Sequence, residues 1–217
     1  IVSHTVNIIG MGESSVAEEI EDMFDAKNPT VAPYAKSGEV RLRITAKAET
    51  ADEADKMCAP VVDEICSRLG DVVYGTDMNS IEERVVALLK EKGKKIATAE
   101  SCTAGYIPKR LTDIPGASEV FECGIVSYSN DIKTKLLGVS PKTLETYGAV
   151  SEQTAREMAL GAKHVSGADI AISTTGLAGP GGDGVLPGGL SFAAVTDGER
   201  TVVEKIVTGH ENDREYN

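Results

Sequence analysis

Tryptophan is absent from this sequence of 217 residues, and aromatic residues make up only 4% of it. Few aromatic side chains are therefore available to stack on bases or sugars. Basic residues are also scarce: 22 Lys and Arg stand against 34 Asp and Glu, which gives a net charge of −12. This balance argues against a nucleic-acid backbone or an anionic membrane as the main partner, although it allows a small anion in a local pocket.

Long apolar runs and a signal-peptide pattern are absent as well, so neither a membrane span nor secretion is expected. The four cysteines include no Cys-x-x-Cys pair, and the chain is too long for a disulfide scaffold, which favours a cytoplasmic location. The three histidines show no metal-ligand spacing, so no metal is expected. The chain begins without Met and ends within a pattern, and we expect it to be a fragment of a longer protein.

The first 77 residues show the order β-α-β-β-α-β, which predicts a small α+β domain with a charge of −8. The predicted strands cover 2–9, 30–35, 39–47 and 71–74, with a hairpin turn at 36–38. Helices are predicted over 14–24 and over 51–69, the second ending at Gly70. Gly10-Met11-Gly12 resembles part of a dinucleotide fingerprint, but Ser15 stands where the third glycine belongs, so a turn is the better interpretation. Gly75-Thr76-Asp77 is interpreted as a linker.

Residues 78–217 alternate helices with strands and close with hairpins, which predicts an α/β layered domain with a mixed sheet. The predicted strands start at Lys94 and cover 120–128, 168–174, 190–196 and 201–207. Predicted helices follow Asn79, Ser129 and Ser151. The stretch 175–189 holds seven glycines in fifteen residues.

Three elements at predicted strand ends carry the candidate chemistry. Ser101 lies where a strand passes into a helix, so it can be a nucleophile beside free N–H groups or a simple helix cap. Lys133, on a first helical turn, can be a partly desolvated base or a solvated surface charge. The glycine loop can wrap a phosphate or be a mobile surface loop.

Two candidate reactions are disfavoured because the residue spacings differ from those of the known motifs. Tyr128 precedes Lys133 by five positions, which differs from the Tyr-x3-Lys of short-chain dehydrogenases and counts against hydride transfer. The glycine loop lacks the Lys-Ser/Thr of a P-loop, which counts against nucleoside triphosphate hydrolysis.

As a set, the motifs of residues 78–217 resemble the C-terminal domain of the CinA family, which includes nicotinamide mononucleotide deamidases. The resemblance rests on TAESCT at 98–103, IPGAS at 114–118, VSYSN at 126–130, LLGV at 136–139, GAVSE at 148–152 and STTGLAGP at 173–180. Residues 1–77 resemble the KH-like domain that precedes it in full-length CinA proteins. The family's N-terminal domain, linked with pyrophosphatase activity, has no counterpart here, so that activity is not expected.

The resemblance implies hydrolysis of nicotinamide mononucleotide to nicotinate mononucleotide and ammonia, without a cofactor. Ser101 matches the nucleophile, Lys133 the base and Tyr128 a supporting tyrosine. Arg214 matches an arginine near the family's C-terminus and is expected to bind the phosphate. The other residues assigned to substrate binding are Thr103, Ser129, Asn130, Thr174, Thr175, Gly176 and Gly179.

The sequence departs from the family pattern at four places. Ala104 replaces the first glycine of a Gly-Gly pair, Leu186-Pro187-Gly188-Gly189 replaces Lys-Pro-Val-Gly, and Asn212 replaces glycine. The helix that the family has after Arg214 is missing, so the domain is expected to be truncated at its C-terminus.

Three functional classes stay open at this point. An amidohydrolase is favoured, and a non-enzymatic nucleotide-binding or competence-associated adaptor is the alternative. A DNA-binding role of the KH-like part is disfavoured, because that part is acidic and has no basic Gly-x-x-Gly loop. We expect a small nucleotide as ligand, no nucleic-acid or membrane partner, and a homo-oligomer.

Overall fold

A computed structural model of the chain describes residues 1–36, 38–214 and 216–217. The chain divides into two compact units, Ile1–Arg84 and Val85–Asn217, and each has its own core. Among the described residues, none of the helices is both long enough and apolar enough to cross a bilayer. The mixture of helices and sheets confirms the predicted α/β class.

The first unit packs two helices on an antiparallel sheet of order β2-β3-β1-β4. Its elements are β1 (Val2–Ile9), α1 (Glu13–Glu19), β2 (Thr30–Lys36), β3 (Glu39–Ala46), α2 (Ala51–Leu69) and β4 (Val73–Thr76), with short 3₁₀ turns at Glu21–Met23 and Gly70–Val72. Leu42 and Ile44 of β3 are fully buried, as the alternation predicts. A capping box of Thr50 and Glu53 starts α2. The hairpin turn predicted at 36–38 includes Ser37, which lies outside the described residues.

The linker interpretation of 75–77 is wrong. Gly75 and Thr76 belong to β4 and pair with Asn7 and Val6 of β1. The backbone N–H of Asp77 donates to the carbonyl of Thr5 at 2.8 Å. Pairing with β1, which local composition does not reveal, therefore makes this segment part of the first unit's sheet.

The second unit has a five-stranded sheet of order β6-β5-β7-β8-β9. Its strands are β5 (Ile96–Glu100), β6 (Phe121–Val126), β7 (Ile170–Leu177), β8 (Leu190–Thr196) and β9 (Thr201–Val207). Its helices are α3 (Ile81–Glu91), whose start lies before the division, α4 (Tyr106–Thr112), α5 (Asn130–Leu137), α6 (Pro141–Tyr147) and α7 (Glu152–Ser166). Strands β5, β6 and β7 are parallel, and β8 and β9 are antiparallel additions. The carboxyl ends of the three parallel strands meet at one edge, where α/β proteins commonly bind ligands.

The two faces of β5 pack on different clusters. Ile96 packs on one face with a cluster that includes Val86 and Leu89 of α3. Ala99 packs on the other face with a cluster that includes Leu137 of α5 and Met158 of α7. Residues that alternate along β5 therefore point to opposite layers of the unit.

Helices α5 and α7 approach each other closely at Gly161. A Cβ placed on Gly161 would lie 1.9 Å from the carbonyl oxygen of Leu137. Only glycine leaves room for this approach, which fixes the depth at which α5 lies against the sheet.

Several elements differ from the sequence prediction. Helix α1 ends at Glu19 instead of residue 24, β4 covers Val73–Thr76 instead of 71–74, and β5 begins at Ile96. Strand β6 ends at Val126, two residues early. Strand β7 continues to Leu177, because Gly176 and Leu177 pair with Ser191 and Leu190 of β8. Helix α6, which begins with Pro141, was not predicted.

Candidate active site

Ser101 and Lys133 lie in direct contact at the carboxyl edge of the parallel strands. Ser101 follows the last residue of β5, and Lys133 lies on the first turn of α5, after β6. The Nζ atom of Lys133 is 3.0 Å from Oγ of Ser101. It also donates to the carbonyl oxygens of Ser127 at 2.8 Å and Tyr128 at 3.3 Å. The lysine is therefore held by three oxygens, none of which is a carboxylate.

The side chain of Lys133 is almost completely buried, at 1% exposure. Burial disfavours the charged form and lowers the pKa of Lys133 below its ordinary value. A neutral amine has a lone pair that can take the proton of a hydroxyl in contact with it. The surface-charge interpretation of Lys133 is therefore wrong.

Ser101 is fixed by its backbone and does not cap α4. Its N–H donates to the carbonyl of Thr174 at 3.0 Å. Helix α4 starts after Gly105, which gives no side-chain cap. The hydroxyl of Thr103 instead bonds the hydroxyl of Thr174 at 2.7 Å and ties the turn to β7. The helix-cap interpretation of Ser101 or Thr103 is therefore not what the fold shows.

The N–H groups at the start of α4 have partners, contrary to our expectation that they are free. Those of Gly105 and Ile107 donate to the carboxylate of Glu100, each at 3.2 Å. The N–H of Tyr106 donates to the carbonyl of Thr103 at 3.0 Å. These three donors are occupied and do not point at a substrate.

A cavity of about 350 Å³ opens over Ser101 and Lys133. The glycine-rich segment from Thr175 to Gly182 forms one wall, and Ala149 and Val150 form another. Tyr128 and Arg214 line it as well, and the side chain of Tyr128 is 64% exposed. Tyr128 contacts Lys133 through its backbone carbonyl, so its ring stays available to the cavity.

Most of the predicted site residues meet at this cavity. Those that line it are Ser101, Tyr128, Lys133, Thr175, Gly176, Gly179 and Arg214. Thr103 and Thr174 stand beside it as a hydroxyl pair.

Ser129 and Asn130 do not join the site. The hydroxyl of Ser129 accepts the N–H of Ile132 at 3.3 Å and caps α5. Asn130 faces a different groove, which is bordered by Thr134 and Pro141. The assignment of both residues to substrate binding is therefore corrected. The hydroxyl of Ser129 is used as a helix cap, and Asn130 faces away from the cavity.

Arg214 borders the cavity next to the glycine loop. Its Nη1 donates to the carbonyl of Gly179 at 2.9 Å, and its other N–H groups have no partner among the described residues, so they are left for an anion. Gly179 and Gly181 have φ values of 90° and 71°, which a residue with a side chain rarely adopts. The guanidinium of Arg214 therefore brings a positive charge to the part of the cavity that the glycine loop lines.

Sequence reasoning assigned no role to Glu100, Cys102, Ala149 or Val150. Ala149 holds the cavity wall, because its carbonyl accepts the hydroxyl of Thr175 at 2.6 Å. Cys102 lines the cavity, and burial raises the pKa of its thiol, so it is not a competing thiolate. Glu100 is the one charged residue of the buried strand β5, but this charge alone does not indicate which groups it contacts.

Comparison with known proteins agrees with this picture. The family model for the CinA C-terminal domain matches residues 78–217, and the model for the damage-inducible protein CinA KH domain matches residues 3–75. A putative competence-damage inducible protein of Clostridium beijerinckii is 53% identical over 215 residues, which is 98% of this chain and 52% of the relative. A CinA-like protein of Kosmotoga olearia is 44% identical over 99% of this chain and 52% of its own length. The chain thus spans about half the length of these relatives.

Solved structures lead to the same family. The competence/damage inducible protein CihA of Agrobacterium tumefaciens has a TM-score of 0.60 and 40% identity, covering 62% of this chain and 83% of that one. A competence-damaged protein (CinA) superfamily protein of Escherichia coli has a TM-score of 0.59 and 32% identity, covering 62% and 77%. The chain belongs to the CinA family, with a KH domain followed by a CinA C-terminal domain.

Proposed function

We propose that residues 78–217 hydrolyse the carboxamide of nicotinamide mononucleotide to nicotinate mononucleotide and ammonia. The observation that carries the proposal is the contact of a buried lysine with a serine hydroxyl, 3.0 Å from Nζ to Oγ, at the floor of an open cavity. Such a pair suits attack on an acyl carbon, because a neutral amine can accept the serine proton.

In the proposed first step, Oγ of Ser101 bonds to the carboxamide carbon while its proton passes to Nζ of Lys133. The tetrahedral intermediate collapses as Lys133 returns that proton to the leaving nitrogen, and ammonia departs. Water then attacks the ester on Ser101 with Lys133 again as base, which releases the carboxylate and restores the serine. Each proton taken by Lys133 is returned within the same half-reaction.

The choice of a nucleotide as substrate rests on Arg214 and the glycine loop, which line the same cavity. Arg214 lines the cavity with a guanidinium, which suits a phosphate, and the glycine-rich wall allows a ligand to approach the backbone closely. Tyr128 lines the same cavity with an exposed ring that can contact the pyridine. We assign no substrate contact to Ser129 or Asn130.

The test is ammonia release from nicotinamide mononucleotide by the wild-type chain and by Ser101→Ala. We expect Ser101→Ala to lose turnover by at least about 100-fold while it still binds the nucleotide in a calorimetric titration. Binding without turnover in the wild-type chain would favour the adaptor alternative. Self-association, a cytoplasmic location and the lack of nucleic-acid and membrane partners stay predictions.

A further inference from the structure

The carboxylate of Glu100 is buried against the turn that carries Ser101. Glu100 is 1% exposed and is the last residue of β5. Because side chains alternate along a strand, it points to the layer of α3 and α4, whereas Ser101 faces Lys133. Its Oε2 accepts the N–H groups of Gly105 and Ile107 at 3.2 Å each.

The other oxygen of Glu100 has only a weak contact. Its Oε1 is 3.5 Å from the hydroxyl of Thr98. Within the described ranges 1–36, 38–214 and 216–217, no ion pair to a basic side chain accompanies it. A buried carboxylate without a counter-ion is costly, and two N–H donors at a helix start are what offset this cost.

We propose that Glu100 is a positioning residue for Ser101. Glu100 directly precedes the nucleophile, and its side chain holds the N–H groups of Gly105 and Ile107. It therefore links the two ends of the turn 101–105. That turn contains Ala104 at φ 49° and Gly105 at φ 99°, and it needs an external restraint to stay in this conformation. The restraint keeps Oγ of Ser101 directed at Nζ of Lys133.

This inference rests on the proposed function only through the identity of Ser101 as nucleophile, so its test has two readouts. One is kcat with nicotinamide mononucleotide. The other is the rate at which a fluorophosphonate modifies Ser101, followed by mass spectrometry. In that reaction Oγ bonds to phosphorus, the P–F bond breaks, fluoride leaves and the serine proton passes to Lys133.

Two variants separate the effect of the length of the Glu100 side chain from the effect of its charge. Glu100→Gln keeps the length and one oxygen acceptor, so we expect kcat and labelling within about 10-fold of wild type. Glu100→Asp keeps the charge but is one methylene too short to reach both N–H groups. A displacement of a reacting group by about 1 Å can lower the rate roughly 100-fold. We therefore expect Glu100→Asp to lower both kcat and the labelling rate by about that factor, with little change in KM.

Glu157 provides the matched control, because its carboxylate also holds a helix start. It accepts the N–H of Ser140 at 2.7 Å and the hydroxyl of Thr143 at 2.6 Å, at the beginning of α6. We expect Glu157→Asp to lower the melting temperature and to leave kcat and labelling of the folded protein unchanged. An equal loss of rate in Glu157→Asp would overturn the proposal, because the effect would then be general loss of stability.

Three further outcomes are decisive. Wild-type rates in Glu100→Asp would overturn the positioning role while the amidase proposal stands. A Glu100→Gln variant as slow as Glu100→Asp would overturn it too, because charge would then matter instead of reach. If the wild type labels but releases no ammonia, the proposed function fails, and the labelling rates of the Glu100 variants still decide the positioning role.

Discussion

Replacing Lys133 by methionine tests the proposed role of this lysine as the base. An ordinary lysine with a pKa near 10.4 is neutral in only about one molecule in 2,500 at pH 7. Burial lowers the pKa of Lys133, and each unit of lowering raises the neutral fraction about tenfold. General-base catalysis contributes typically 10²- to 10⁴-fold, so we expect Lys133→Met to lose kcat by about that factor.

The lowered pKa of Lys133 also predicts the direction in which activity and stability change with pH. Only the neutral amine accepts a proton, so kcat/KM of the wild type should rise with pH and level off above the pKa of Lys133, which lies below 10.5. Below that pKa the buried ammonium costs stability, and the cost disappears as the pH rises towards the unfolded-state value. The unfolding free energy of the wild type should therefore improve relative to Lys133→Met between pH 7 and pH 10.

The assay is ammonia release from nicotinamide mononucleotide between pH 6 and pH 10, with urea unfolding of the same samples. Lys135→Met is the matched control, because Lys135 lies two residues further on the same helix and is exposed. The control should keep wild-type kcat. A Lys133→Met variant with more than about a tenth of wild-type kcat, or a wild type whose kcat/KM falls as the pH rises across this range, would refute the assignment of the base.

Three further predictions concern other parts of the chain. Arg214→Ala should lower kcat/KM for the mononucleotide by about 10- to 150-fold, the value of one charge-assisted contact, and leave the riboside little changed; equal losses would mean that Arg214 supports the fold. The fragment 78–217 should keep full activity, because α3 begins at Ile81 and brings Val86 and Leu89 into the second core; inactivity of the folded fragment would contradict this. Ala104→Gly should raise the unfolding free energy by up to about 1 kcal/mol in urea titrations, since Ala104 has a φ of 49°; a lower value would show that the turn is not strained.

Elements with marked ends could be predicted from the sequence. Helix α2 has the predicted bounds, because Thr50 starts it with a capping box and Gly70 ends it. Helix α5 lies likewise between Ser129 and Gly138. The segment 75–77 misled because glycine and aspartate are typical of turns, whereas its conformation is set by β1, some seventy residues away.

The site could be predicted less completely. Ser101 and Lys133 are 32 positions apart, and nothing in that spacing shows that they touch. They meet because β5 and β6 are parallel neighbours, so the segments that follow both strands emerge at one edge. Residue patterns alone left a cap and a surface charge as alternatives, and the family resemblance favoured the chemical roles. Glu100 was missed because a charged residue inside a strand has no local pattern that announces its partners.

Gly161 couples the position of α5 to that of α7. Leu137, which Gly161 allows to approach, lies one turn beyond Lys133 on the same short helix. Any side chain at position 161 must push α5 outward, and the lysine would be withdrawn with it. The spacing of α5 and α7 therefore sets the distance between Nζ of Lys133 and Oγ of Ser101, although Gly161 itself lies outside the residues that line the cavity.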